Sequence, residues 1–179
     1  MANSPLTKIT TGKVRLSFVH VYEPHASLPG QEAKYSVMLL IPKTDKSTVA
    51  AINGAVEAAK EQGKNQWGGK IPAGLKTPLR DGDTERDDPL YKGHYFMNAS
   101  SKLQPGLFNG QLQKIIDPTE IYSGVFGNVS LNFYPYSVNG NKGVGAGLNN
   151  IQKVSDGDPL GGRGRPENDF TAVVEDFLQ

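Results

Sequence analysis

The stretch from Ile121 to Val154, IYSGVFGNVSLNFYPYSVNGNKGVGAGLNNIQKV, decides the fold. From Asn128 to Tyr136 apolar and polar residues alternate. Val129, Leu131 and Phe133 take one side, Asn128, Ser130, Asn132 and Tyr134 the other, which is the period of a half-buried strand. Val138 to Lys142 reads as a turn in which Asn139-Gly140 supplies the positive φ angles of a tight hairpin, and the run Val144 to Val154 returns. The stretch predicts a long hairpin with an exposed tyrosine face near a glycine-rich, lysine-bearing tip. Tyr134 and Tyr136 flank Pro135, and aromatic faces beside cations suit a surface that stacks unpaired bases and meets their phosphates.

Working outward, Lys13 to Tyr22 reads as a strand with Val14, Leu16 and Phe18 on one face, and a phase shift at Val19 predicts a bulge. A second strand runs from Lys34 to Ile41. Thr44 to Gln62 carries Val49, Ile52, Val56 and Ala59 at helical spacing, with Gly63 as its stop, and is read as scaffold. Tyr91 to Ser101 and Gln111 to Ile116 are further expected strands. The whole predicts an all-β domain with one inserted helix, a small antiparallel barrel such as the OB-fold, with a β-sandwich as the other option.

Between Gly63 and Pro89 periodicity disappears, which marks a long functional loop. Its Trp67 lies between Lys64 and Lys70, as either a stacking platform or a pin to the core. Lys76 and Arg80 are candidate phosphate contacts. Asp81, Asp83 and Glu85 alternate as in a calcium loop, but Arg86 and Lys92 stand where that loop needs glycine and glutamate. No metal site is expected.

The 179 residues contain no cysteine, which excludes disulfides, thiolate zinc and cysteine nucleophiles. His20, His25 and His94 form no HExxH pattern, no GxSxG elbow is present, and GNKGVGAG lacks the GxxxxGK[ST] of a phosphate loop. Neither an enzyme nor a cofactor is expected, nor a signal peptide or membrane span. From Ser155 onward six acids face Arg163 and Arg165. Subtracting these from the chain's 18 acids and 19 bases leaves 12 and 17, a body of +5 ahead of an end of −4. A basic body with an acidic end is compatible with nucleic-acid binding.

Several separated segments in fixed order, WGGKIP, LRDGD, YKGHYFMNASS, IYSGVFGNVSLNFYPY and NGNKGVGAGLNNIQKVSDGDPL, resemble a phage single-stranded-DNA-binding protein family, formerly a domain of unknown function. The resemblance implies an OB-fold domain over residues 1–155 and an acidic tail or docking segment over 156–179. It implies sequence-tolerant, non-enzymatic binding of single-stranded DNA in phage replication or recombination, within the cytoplasm of the bacterial host. Candidate stacking residues are Trp67, Tyr91, Tyr95, Tyr134 and Tyr136; candidate phosphate partners are Arg15, Lys34, Lys76, Arg80, Lys102 and Lys142. Because only alternate strand residues face one side, about half of these are expected to fail. Replication proteins met through the C-terminal segment, which carries Phe170 and Phe177, and a homodimer are further expected partners. The competing readings are a virion structural or assembly protein and, less favoured, a metal-dependent nuclease built on Asp81 to Asp88.

Overall fold

A computed structural model describes residues 6–26 and 28–160. Eight strands form one sheet: β1 (Lys8–Thr10), β2 (Val14–His25), β3 (Lys34–Pro42), β4 (Arg80–Asp81), β5 (His94–Ser101), β6 (Gly106–Phe108), β7 (Phe126–Val138) and β8 (Asn141–Ser155). The pairings β7–β2–β3–β5–β8–β7 close on themselves, so five strands make a barrel, while β1, β6 and β4 extend its edges. The architecture is the OB-like barrel with one long helix that the sequence predicts. It is not wholly antiparallel, because β8 runs parallel to both β5 and β6.

The hairpin is longer than its sequence signature. Its strands pair from Phe126↔Ser155 to Val138↔Asn141, and Asn139 (φ 51°) and Gly140 (φ 81°) form the two-residue turn. Both angles are positive, as a hairpin turn matched to strand twist requires. Val129, Leu131 and Phe133 point into the barrel and are essentially fully buried, against Leu16, Leu39, Ile41, Met97 and Leu148 from the other strands.

Two expected strand segments differ. Residues 111–116 form a turn that returns to Phe108 through Lys114, held by Asn109, whose side chain accepts from the backbone N–H groups of Gln111 and Gln113. Tyr91 sits in a short 3₁₀ turn ahead of β5, so strand alternation does not govern it.

Helix α1 (Lys46–Gly63) starts at Asp45, whose carboxylate accepts from Thr48 N at 3.1 Å and from its hydroxyl at 2.6 Å. The same hydroxyl accepts from Gly12 N at 2.9 Å, which ties the helix start to the β1–β2 turn. Ile52, Ala55, Val56 and Ala59 face the barrel, and at the other end Gly63 passes so close to Pro135 and Trp67 that a Cβ would lie 2.6 Å from one and 2.7 Å from the other. The helix end therefore buttresses β7 at Pro135, toward the hairpin turn.

The proposed division at residue 155 falls where β8 ends. Residues 156–160 fold back on the barrel: Leu160 N donates to Ser123 O, and Arg15 donates to Asp158 O at 2.7 Å. The rest of the expected acidic segment, with Phe170 and Phe177, lies outside the described residues.

Phe133→Ala empties the barrel centre and is expected to cost about 3–5 kcal/mol. Asp45→Ala removes only a cap, costing about 1 kcal/mol. Urea unfolding followed by circular dichroism measures both.

Candidate nucleic-acid interface

Paired strand residues share a face, so the register traces one row across the outside of the barrel. Asn132 pairs with Gly147, Gly147 with Ser100, Ser100 with Ser36, and Ser36 with His20. The row is polar, carries no carboxylate, and is open over its β2–β3–β5 part. There a groove of about 670 Å³ is lined by Phe18, His20, His25, Glu32, Lys34, Ser36, Asn98 and Ser100, among others.

One end of this outer face is covered. Met38, Leu40, Phe96 and Tyr91 form a small second core with Leu90 and Leu160 against it. The Arg80 and Arg86 guanidinium groups lie 4.9 and 4.6 Å from the Phe96 ring centroid. The loop between α1 and β5 supplies most of this cover. Its short helix α2 (Gly82–Glu85) is anchored by Lys43, which bonds Asp81 and Asp83 at 2.7 Å each. The ammonium holds both carboxyls below the usual carboxylate range, and their proximity holds the ammonium above its own. The acidic stretch is thus a structural clasp. Among the described residues no three His, Asp or Glu side chains converge to hold a metal.

At the other side of the groove, β8 presents Gly143, Gly145 and Gly147 opposite Tyr136, Tyr134 and Asn132. A Cβ at Gly145 would lie 2.6 Å from the Tyr134 ring, and one at Gly143 would lie 2.7 Å from the Tyr136 hydroxyl. The tyrosines lie down across bare backbone, a packing that larger residues on β8 would prevent. Tyr134 remains 40% exposed, and burial of the rest of the ring, then the neighbouring Tyr136, pushes its phenol up from the usual value. At neutral pH it is an uncharged ring with a hydroxyl donor, with no charge to repel a phosphate. Beyond it, Lys76 Nζ donates to Asn141 Oδ1 at 3.3 Å, and Lys76 backbone pairs with β8 at Lys142 and Val144. Lys76 and Lys142 therefore sit together at the hairpin tip, both exposed.

The structure thus sorts the eleven candidate residues. Tyr134, Tyr136, Lys76 and Lys142 gather on the hairpin, and Lys34 lines the groove. Lys102 is exposed and ion-paired to Glu32 at 3.6 Å beside it. The others are spent on the fold. Trp67 is 6% exposed and donates its indole N–H to Tyr136 O at 3.2 Å, so it pins the hairpin from beneath instead of presenting a stacking face. Tyr91 is buried in the second core, where its hydroxyl reaches Met38. Tyr95 packs toward the main core with the Lys43 ammonium 5.0 Å from its ring. Arg15 binds the Gly124 and Asp158 carbonyls, and Arg80 pairs with Glu85 at 2.9 Å.

Three groove residues escaped the sequence reading. Phe18, expected to share a face with Val14 and Leu16, is 60% exposed with φ 46°, a conformation rare for a bulky side chain. It sits at a bulge where β2 advances from Ser17 to His20 while β3 moves only from Met38 to Ser36. The extra residue turns Phe18 outward, between the groove and a second one of about 610 Å³ that reaches Tyr91 and Leu160. His20 and His25 stack beside it, ring centroids 4.0 Å apart. The break in alternation at Val19 was the available signal; it marked the bulge without saying which residue it expels.

A tryptophan so enclosed is expected to emit to the blue of an exposed one and to resist acrylamide quenching. Trp67→Phe, which deletes the donor to Tyr136, should cost about 0.5–1.5 kcal/mol. Steady-state fluorescence and urea unfolding check the two.

Comparison with known proteins gives a consistent result. A family model described as the ssDNA-binding protein of Enterobacter phage Enc34 matches residues 7–178. Putative protein p50 of Acyrthosiphon pisum secondary endosymbiont phage 1 is 32% identical over 181 residues, covering 95% of this chain and 92% of that one. The single-stranded DNA-binding protein from bacteriophage Enc34, solved in complex with ssDNA, superimposes with a TM-score of 0.76 at 26% identity, over 87% of this chain and 90% of that one. The single-stranded DNA-binding protein gp2.5 of bacteriophage T7 shares the fold, with a TM-score of 0.63 at 17% identity, over 95% and 96% of the two chains. This chain belongs to the Enc34 family of phage single-stranded-DNA-binding proteins.

Proposed function

We propose that this protein binds single-stranded DNA across the outer barrel face, without catalysis and with little sequence preference, in phage DNA replication or recombination. The observation that carries the reading is the combination on one face of a carboxylate-free polar row, two tyrosines laid flat over glycines, and lysines at both ends of the path. Bases stack on Tyr134 and Tyr136 while Lys34, Lys76 and Lys142 displace counterions from the backbone. A duplex keeps its base faces hidden in its own stack and offers these rings nothing to stack on. The ssDNA complex of the Enc34 protein supports the same use of the fold here. The family match favours this reading over virion assembly. Action in the cytoplasm of the infected host is part of the same proposal, and no helix among the described residues is long and apolar enough to cross a membrane. Recruitment of replication proteins through residues 156–179 and pairing of two copies are further parts of the proposal.

Fluorescence anisotropy with a labelled oligonucleotide tests it. Tyr134→Ala and Tyr136→Ala should each weaken binding by about 1–3 kcal/mol, roughly 5- to 150-fold. Lys76→Ala and Lys142→Ala should weaken it similarly for all sequences, and each phosphate left without its cation should flatten the logarithmic salt slope by about 0.7. Equal affinity for single strand and duplex at low salt would overturn the proposal.

A further inference from the structure

His20 and His25 are five positions apart on β2, yet their rings stack with centroids 4.0 Å apart and planes within 7°. The cause is in the register. Between His20↔Ser36 and His25↔Lys34, β2 spends five residues where β3 spends two, and the surplus brings the second imidazole back over the first. Both rings line the groove, and so does Lys34 on the facing strand. The one carboxylate in the lining is Glu32, on the β2–β3 connection, and it is engaged by Lys102 at 3.6 Å. From β5 the lining side chains are Asn98, Ala99 and Ser100, none of which titrates.

We propose that the stacked His20–His25 pair, with Lys34, forms a phosphate subsite that takes up a proton as single-stranded DNA enters the groove, an inference that rests on the DNA-binding reading above. Two imidazolium rings in parallel contact repel each other, so without an anion the pair does not hold two charges cheaply. A backbone phosphate beside them supplies that anion and accepts a hydrogen bond from the charged ring. In the free protein, burial and then the neighbouring His25 hold His20 below its ordinary value of 6.5. Bound phosphate raises it. The gain in affinity therefore opens as pH falls through the raised bound-state value and is complete below the lowered free-state one.

The test uses the full chain and an oligothymidylate, whose bases do not titrate in the range, at fixed ionic strength. Anisotropy should show binding about three- to tenfold tighter near pH 6 than near pH 8. His20→Asn or His25→Asn should flatten this profile. His94→Asn should keep it, because His94 lies at the start of β5 with its ring against Lys92 O, outside the groove lining. Calorimetry near neutral pH in two buffers of different ionisation enthalpy should give heats that differ in proportion to that enthalpy, a readout independent of any variant's folding. Tight binding with a flat pH profile and buffer-independent heat would overturn the subsite and leave the DNA-binding reading intact, and so would loss of the profile in His94→Asn. No binding near either pH would overturn the DNA-binding reading and the subsite with it.

Discussion

The double duty of β8 is the constraint on which the structure depends. It pairs antiparallel with β7 along the whole hairpin and, on its other edge, runs parallel to β5 at Gly147 and to β6 from Asn150. Without the β5 pairing the sheet would remain open, and the outer row from Asn132 to His20 would not exist as one surface. That pairing is short, and the long loop reinforces it from both sides: Lys76 pairs with β8 beside Gly143, and Arg80–Asp81 pairs with β5. The loop is a wedge in the barrel seam as well as a cover for one end of the outer face.

The same strand is also where side chains are missing. Gly143, Gly145 and Gly147 alternate with Val144, Ala146 and Leu148, so β8 is apolar inward and bare outward. Glycine in a strand interior normally weakens it. Here the rings of Tyr136 and Tyr134 fill the space, and Trp67 fixes the Tyr136 carbonyl from the opposite side. The rings thus rest on the backbone of β8 while the indole fixes the backbone that carries Tyr136, which limits the ordering entropy left for a ligand to overcome.

Much of this was legible from residue periodicity. The alternation of Val129, Leu131 and Phe133, the Asn139-Gly140 turn and the spacing of Ile52, Val56 and Ala59 each report a local geometry, and each element stands where its pattern put it. Periodicity names a face but not what covers it. Tyr91 and Trp67 had the composition of stacking residues, and long-range contacts with Met38 and the Tyr136 carbonyl consumed them. Arg15 is taken up by carbonyls more than a hundred residues away. Nothing local records the parallel meeting of Ser100 with Gly147, and that meeting joins the outer row into one surface.

The bulges of β2 also separate two registers within one strand. Its first half is locked to β3 and β7 at Arg15, its far end to β3 at His25, and the surplus residues on either side of the His20–Ser36 pair are taken up as bulges instead of shifting either lock. Length can therefore be added or removed there without turning the barrel core inside out. The rim of the groove is thus the part of this strand that a change of length would reshape at least cost to the core.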